Sequence, residues 1–227
     1  MHLFIANKLY SSWSMRPWLV LTASDIAFDE TVIALRRDDT AGKIAKISPT
    51  GKVPVLVDGD IRIWESLAVI EYLSEKFPDK TIWPRDVDAR AHARSISSEM
   101  LAGFQPLRKA CPMNLGKLFA PLNWDEDVLA NVRRIEQLWR HARARFSNGG
   151  KFLFGEFSGA DAMYAPVASR LKTYGFDVGD DTKAYMQAVF THPSFVKWTR
   201  EALAEPWTID DYEDGFTVRE TFERKTN

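Results

Sequence analysis

The chain has 227 residues, 45% of them hydrophobic, and a formal net charge of −1 from 30 basic and 31 acidic residues. That is enough apolar material for two ordinary cores. With acids and bases interspersed there is no broad electrostatic footprint for nucleic acid or an anionic membrane, so a small-molecule partner is expected. A single cysteine, Cys111, excludes an internal disulfide and a cysteine-rich zinc site, and the histidines His2, His92, His141 and His192 are scattered, which argues against a metal. No apolar run approaches the roughly 20 residues that span a bilayer, and Met1-His-Leu-Phe-Ile-Ala lacks a cationic leader, so a cytoplasmic protein is expected.

In chain order, Leu3-Phe-Ile-Ala reads as a strand and Trp13 to Ser24 as a helix, with Trp18, Leu19, Leu21 and Thr22 recurring. Glu30 to Leu35 supplies a second strand, and Arg36 to Pro49 a polar connection. Val55 to Trp64 reads as two short strands around the turn Asp58-Gly59-Asp60, and Ser66 to Phe77 as a helix stopped by Pro78. The order β-α-β, connection, β-β-α matches a thioredoxin-like domain over residues 1–80. Pro78 to Asp86, rich in turn residues, is the linker. Beyond it helical periodicity runs at roughly 87–110, 125–147, 161–175, 182–190 and 193–204 with almost no strand signal, so residues 88–227 are expected to form an all-helical domain.

Within that second domain Ser158-Gly-Ala-Asp161 reads as a capping box with Asp in place of Glu or Gln. Arg133, Arg134, Arg140, Arg143 and Arg145 read as a solvated basic face diluted by Glu136. Asp210 to Asp214, followed by Arg219 to Lys225, is expected to be a C-terminal extension, loosely packed or disordered.

The densest chemistry lies in residues 46–72. Val53 stands between Lys52 and Pro54 at the head of a strand. A cis Val53-Pro54 bond would turn the carbonyl and amide of Val53 outward, to pair with a ligand backbone as an added strand does. Glu65-Ser66 opens a helix, where unpaired amides and the macrodipole favour a carboxylate. A peptide-like ligand with a free carboxylate suits both features.

Gly51-Lys-Val-Pro-Val-Leu followed by Glu65-Ser-Leu-Ala-Val-Ile-Glu-Tyr-Leu resembles the glutathione-binding half of a glutathione S-transferase, and the resemblance extends over nearly the whole chain. It implies the glutathione transferase fold, glutathione as cosubstrate and a two-fold homodimer. It assigns Lys52, Val53 and Pro54 to the cysteinyl backbone of the tripeptide and Glu65 and Ser66 to its γ-glutamyl carboxylate. Ser11-Ser-Trp-Ser-Met-Arg is similar to the Ser-Ser-Cys-Ser-x-Arg motif of the zeta class, whose first serine contacts the glutathione sulfur. That role carries over to Ser11, with Ser12 and Ser14 as alternatives and Trp13 where the motif has cysteine. Gly103-Phe-Gln-Pro-Leu is also zeta-like and brings Gln105 towards glutathione. Tyr10, Met100, Phe104, Arg108 and Met113 are candidates for an apolar cosubstrate pocket.

A thiol with an ordinary pKa of about 8.5 is mostly protonated at neutral pH. Lowering that value by two units needs about 2.7 kcal/mol of preference for the thiolate. A hydrogen bond to a charged group supplies roughly 1.5–3 kcal/mol and a helix N-terminus some tenths to about 1 kcal/mol, so one serine hydroxyl plus the dipole nearly suffices. The implied activity is conjugation of glutathione to small electrophiles. Isomerisation of a maleyl double bond ranks second, with Arg16 and Arg108 as the available cations, and a non-catalytic glutathione-binding or scaffold protein is the rival from another class. A thiol reductase is disfavoured because no cysteine stands in Ser11–Arg16.

Overall fold

The computed structural model describes residues 1–222. Leu3 and Ile5 are fully buried while their neighbours His2 and Phe4 are only partly so, the period-two pattern of a strand, and His2–Ala6 forms β1. Helix α1 (Ser12–Ala23) carries the chain back to β2 (Asp29–Ile33), parallel to β1 with Leu3 opposite Glu30. β3 (Val55–Asp58) and β4 (Ile61–Trp64) make the expected hairpin around Gly59, which takes the left-handed φ of 59° that the turn requires. β3 also pairs antiparallel with β1, giving the order β2-β1-β3-β4. Helix α3 (Ser66–Lys76) packs against α1 and the hairpin, completing the thioredoxin-like arrangement. One element departs from expectation: the polar connection after β2 contains a short helix, α2 (Thr40–Ala45), in which only Ile44 is buried. Six residues with one apolar contact leave no stripe for periodicity to detect.

Beyond the Pro78–Asp86 connection the fold is mainly helical, with α4 (Val87–Ala102), α5 (Gln105–Ala110), α6 (Glu126–Phe146), α7 (Gly159–Thr173), α8 (Asp180–Thr191) and α9 (Pro193–Leu203). The single helix expected over 87–110 is broken. A Cβ at Gly103 would lie 2.8 Å from the Glu99 carbonyl oxygen, and Phe104 adopts a left-handed φ of 59°, so the chain turns and restarts. Pro106 therefore sits in the first turn of α5, where its missing N–H costs nothing, instead of kinking a longer helix.

Two further expectations are corrected. The second half is not wholly helical, because β5 (Lys117–Phe119) pairs antiparallel with β6 (Val218–Thr221). Both strands are short and far apart in sequence, so neither announces itself locally. Nor is the C-terminal segment loose: Glu213 accepts hydrogen bonds from Tyr10 Oη at 2.8 Å and Asn114 Nδ2 at 3.1 Å and pairs with Lys117, while Phe216 stacks on Phe119. Residues 223–225 of that expectation lie outside the described residues. On α6 Arg133, Arg134, Arg140 and Arg145 are exposed as expected, the first three paired with Glu126, Glu99 and Asp181, whereas Arg143 is half-buried and donates to the Asp181 carbonyl at 2.9 Å.

Helix α7 is buried along nearly its whole length and packs against α1, α4 and α8, so it forms the axis of the core. Among the described residues no helix is long and apolar enough to cross a membrane.

Candidate functional site

The connection between β1 and α1 is anchored by distant elements. Lys8, only 3% exposed, pairs with Glu30 from β2 and Glu201 from α9 and lies 4.9 Å from the Trp18 ring centroid. Glu205 accepts from the Lys8 amide at 2.8 Å and the Leu9 amide at 3.4 Å, and Trp198 Nε1 donates to the Lys8 carbonyl at 2.9 Å. A buried charge without such partners would be expelled. The chain thus enters α1 in a fixed position, with Ser11 as its N-cap.

The three serines of this junction have different surroundings. Ser11 Oγ accepts from the Ser14 amide at 3.4 Å and donates to Ser14 Oγ at 2.8 Å. Ser14 is fully buried and its Oγ accepts from the Ala6 amide at 3.0 Å, tying α1 to β1. Ser12 Oγ accepts from Arg170 Nη2 at 3.2 Å, which leaves its own proton without an acceptor among the described residues.

Ser11 and Ser12 line a cleft of about 510 Å³, to which α5 contributes Gln105 and Arg108 and the C-terminal segment Tyr212. The cleft adjoins a recess of about 190 Å³, with which it shares Trp13, Lys52, Val53 and Arg108, and the recess ends on Pro54, Glu65 and Ser66. Ser11, Lys52, Val53, Pro54, Glu65, Ser66 and Gln105 therefore come together around one continuous depression. Tyr10, Arg108 and Met113 join its wall, whereas Met100 and Phe104 are core residues and Ser14 lies beneath the helix.

The recess has the chemistry of an anion site. The Val53-Pro54 peptide is cis. Glu65 takes φ 66° and ψ 124°, a left-handed conformation that costs a non-glycine residue on the order of 1–3 kcal/mol, immediately before α3. Ser66, the first residue of that helix, is fully buried, and its Oγ has no hydrogen-bond partner. Leaving a buried hydroxyl unpaired costs about 1–3 kcal/mol, and the first-turn amides beside it are also without intrahelical partners.

Residues 10–76 match the family model described as "Glutathione S-transferase, N-terminal domain". Over those residues the chain carries a glutathione S-transferase N-terminal domain. A relative from Dianthus caryophyllus, "Glutathione S-transferase 1", is 29% identical over 190 residues, covering 79% of this chain and 81% of its own. A "Probable maleylacetoacetate isomerase" from Caenorhabditis elegans is 40% identical over 104 residues, 44% of this chain and 48% of that protein. Among solved structures, a glutathione transferase homolog from Burkholderia with bound glutathione superposes with a TM-score of 0.68 at 22% identity, covering 88% of this chain and 97% of its own. At that identity the likeness shows the transferase fold and nothing finer.

In this cleft the sequence reading, which named Arg16 and Arg108, missed a third arginine, Arg170. Arg108 and Arg170 line the cleft while Arg16 is buried against Trp13, and among the described residues none of the three pairs with a carboxylate. Arg16 donates to the carbonyls of Met163 at 3.1 Å and Ser12 at 3.2 Å, and Arg170 Nε to that of Cys111 at 2.8 Å. Arg108 donates to the carbonyls of Leu101 and Gly103 at 3.2 and 3.3 Å. The Trp13 ring centroid lies 4.2 Å from the Arg16 guanidinium carbon and 4.5 Å from that of Arg108. Burial, then the charges of Arg170 and Arg108, holds Arg16 well below its ordinary pKa; burial, then Arg108, pushes Arg170 down to about 10. Arg170 remains a cation at neutral pH. A cation inside the apolar run Ala162–Leu171 is the sequence signal that would have found it. Cys111, by contrast, is fully buried and burial pushes its thiol up to about 12, so it stays protonated.

Proposed function

We propose that this protein binds glutathione in the recess and favours its thiolate in the adjoining cleft, for attack on a small electrophile. Ser66 carries the reading: a buried hydroxyl with no partner, at the start of an eleven-residue helix, opening into the recess beside Val53 and Glu65. A γ-glutamyl carboxylate supplies the acceptor that Ser66 and the first-turn amides of α3 lack. Val53 offers its backbone to the cysteinyl residue, Lys52 stands where recess meets cleft, and Gln105 reaches in from α5. Ser11 or Ser12 donates to the sulfur, and the neighbouring Arg170 and Arg108 add positive charge that favours the thiolate over the thiol. The working unit is a two-fold homodimer, whose mass light scattering reports.

Ser66→Ala and Glu65→Gln act on binding, since the γ-glutamyl end keeps the same charge through the chemical step. For Ser66→Ala a lost hydrogen bond to a charged group, about 1.5–3 kcal/mol, corresponds to a loss of glutathione affinity of about ten-fold or more by calorimetry. Unchanged affinity in both variants would remove the basis of the reading.

Arg108 and Arg170, cations on the cleft wall with no carboxylate partner among the described residues, favour a second reading, in which the electrophile is itself anionic and is isomerised instead of consumed. The isomerase name of the nematode relative agrees with it. Incubation with a maleyl ketone and catalytic glutathione separates the two: cis-to-trans conversion without loss of glutathione supports isomerisation, and stoichiometric loss supports conjugation.

A further inference from the structure

Trp13 stands where the zeta-class motif has cysteine, and it is half-buried where cleft and recess meet, lining both. Arg108 lines both as well. Its Nη1 donates to the Leu101 and Gly103 carbonyls, while Nε and Nη2 make no hydrogen bond among the described residues. Those bonds tie down one corner of the guanidinium. The Trp13 ring, whose centroid is 4.5 Å from the central carbon, is the surface against which the rest is held.

That support is needed because Arg108 is crowded by like charges. Arg16 lies 4.2 Å from the same ring, and Arg170 lines the same cleft. Repulsion favours a long side chain that swings out into water. A carboxylate partner is the usual restraint on such a cation, but the cleft lining carries Lys52, Arg108, Lys109 and Arg170 and no acid. A carboxylate beside Arg108 would also cancel most of its field at a bound thiol. An indole attracts the guanidinium through its quadrupole and has no net charge, so it restrains the cation and leaves the field intact. Arg16 does not depend on the ring, being anchored by the Met163 and Ser12 carbonyls.

We propose that Trp13 is a positioning residue of this cleft: its indole holds Arg108 beside the glutathione thiol without neutralising it, so that the thiolate meets the full positive charge. The inference rests on the reading that the cleft favours the thiolate, and it names the group that keeps the field in place. Besides the four cations, the titratable groups lining cleft and recess are Tyr10, Tyr212 and Glu65, with Glu213 hydrogen-bonded to Tyr10.

Ultraviolet difference titration of glutathione bound at saturation to the full chain tests it, with Tm recorded for each variant. Trp13→Leu should raise the thiolate midpoint by about half a unit to one unit, and Trp13→Phe, which keeps a π face, should hold it within about 0.2 unit of wild type. Arg108→Gln, which keeps a donor for the two carbonyls and loses the charge, should raise it by about one unit. Adding Trp13→Leu to Arg108→Gln should change nothing further, since the ring then has no cleft cation to hold. A purely structural Trp13 would lower Tm in its variants and leave the midpoint of the bound thiol where it was. An unmoved midpoint in folded Trp13→Leu or, should that variant not fold, in Trp13→Met would overturn the proposal, as would additive shifts in the double variant. A wild-type midpoint at the free-thiol value would overturn the reading beneath it and the inference with it.

Discussion

Replacing Ser11 and Ser12 together with alanine is expected to lower glutathione-dependent turnover by about 100-fold, with ground-state affinity for glutathione little changed. Each hydroxyl can supply a hydrogen bond worth roughly 1.5–3 kcal/mol to a charged sulfur, and every 1.4 kcal/mol of lost preference is ten-fold in rate. The single variants apportion the effect. Ser11→Ala alone should cost ten-fold or more if Ser11 is the principal donor. Ser12 competes for that role, because Arg170 fills its acceptor side and leaves its proton to be given away. Ser14→Ala should act differently, loosening α1 from β1 through the lost Ala6 amide bond and so lowering stability before rate. Steady-state kinetics on the double variant at the wild-type rate would dismiss the hydroxyls as thiolate donors.

The largest effect on stability is expected at Asp161. Its carboxylate is fully buried at the start of α7 and accepts four hydrogen bonds, from the Leu153 amide at 3.1 Å, the Ser158 amide and Oγ at 2.9 Å each, and Tyr185 Oη at 3.1 Å. Burial pushes the carboxyl up to about 6, against the pull of those donors, so it is mainly ionised at neutral pH. Asp161→Ala removes a helix cap worth about 1 kcal/mol and strands several buried donors at about 1–3 kcal/mol each. A loss of about 3 kcal/mol or more follows, seen as a fall in Tm of about 6–12 °C for a chain of this size. Scanning calorimetry showing less than about a 2 °C fall would mean that the donors find other partners.

What the sequence made legible was local. The Lys52–Pro54 loop and the Glu65–Ser66 helix start lie within short segments whose chemistry is set by neighbours along the chain, and the fold carries them to one recess. The β-α-β-β-α order and the long helices α6 and α7 follow from periodicities of two and 3.6 that extend over enough residues to be read. What escaped was non-local or steric. The break at Gly103 depends on how close a Cβ would come to Glu99, which periodicity does not encode. The β5–β6 pair joins segments from opposite ends of the second half, and this pairing, together with Glu213 bound to Tyr10, turns an apparent tail into a wall of the cleft carrying Tyr212. Arg170 reads in isolation as an interruption of a buried helix; only the packing of α7 against α1 brings its guanidinium to Ser12.

The central claim is that this cleft favours the thiolate of bound glutathione. Ultraviolet difference titration of glutathione on the wild-type protein measures it directly, through the absorbance of the thiolate. The expected midpoint lies about two units below the ordinary thiol value of about 8.5, reflecting roughly 2.7 kcal/mol of stabilisation, and it should move upward in the Ser11→Ala/Ser12→Ala variant. A saturably bound thiol that titrates at its free value, unmoved by loss of both serines, would contradict the claim.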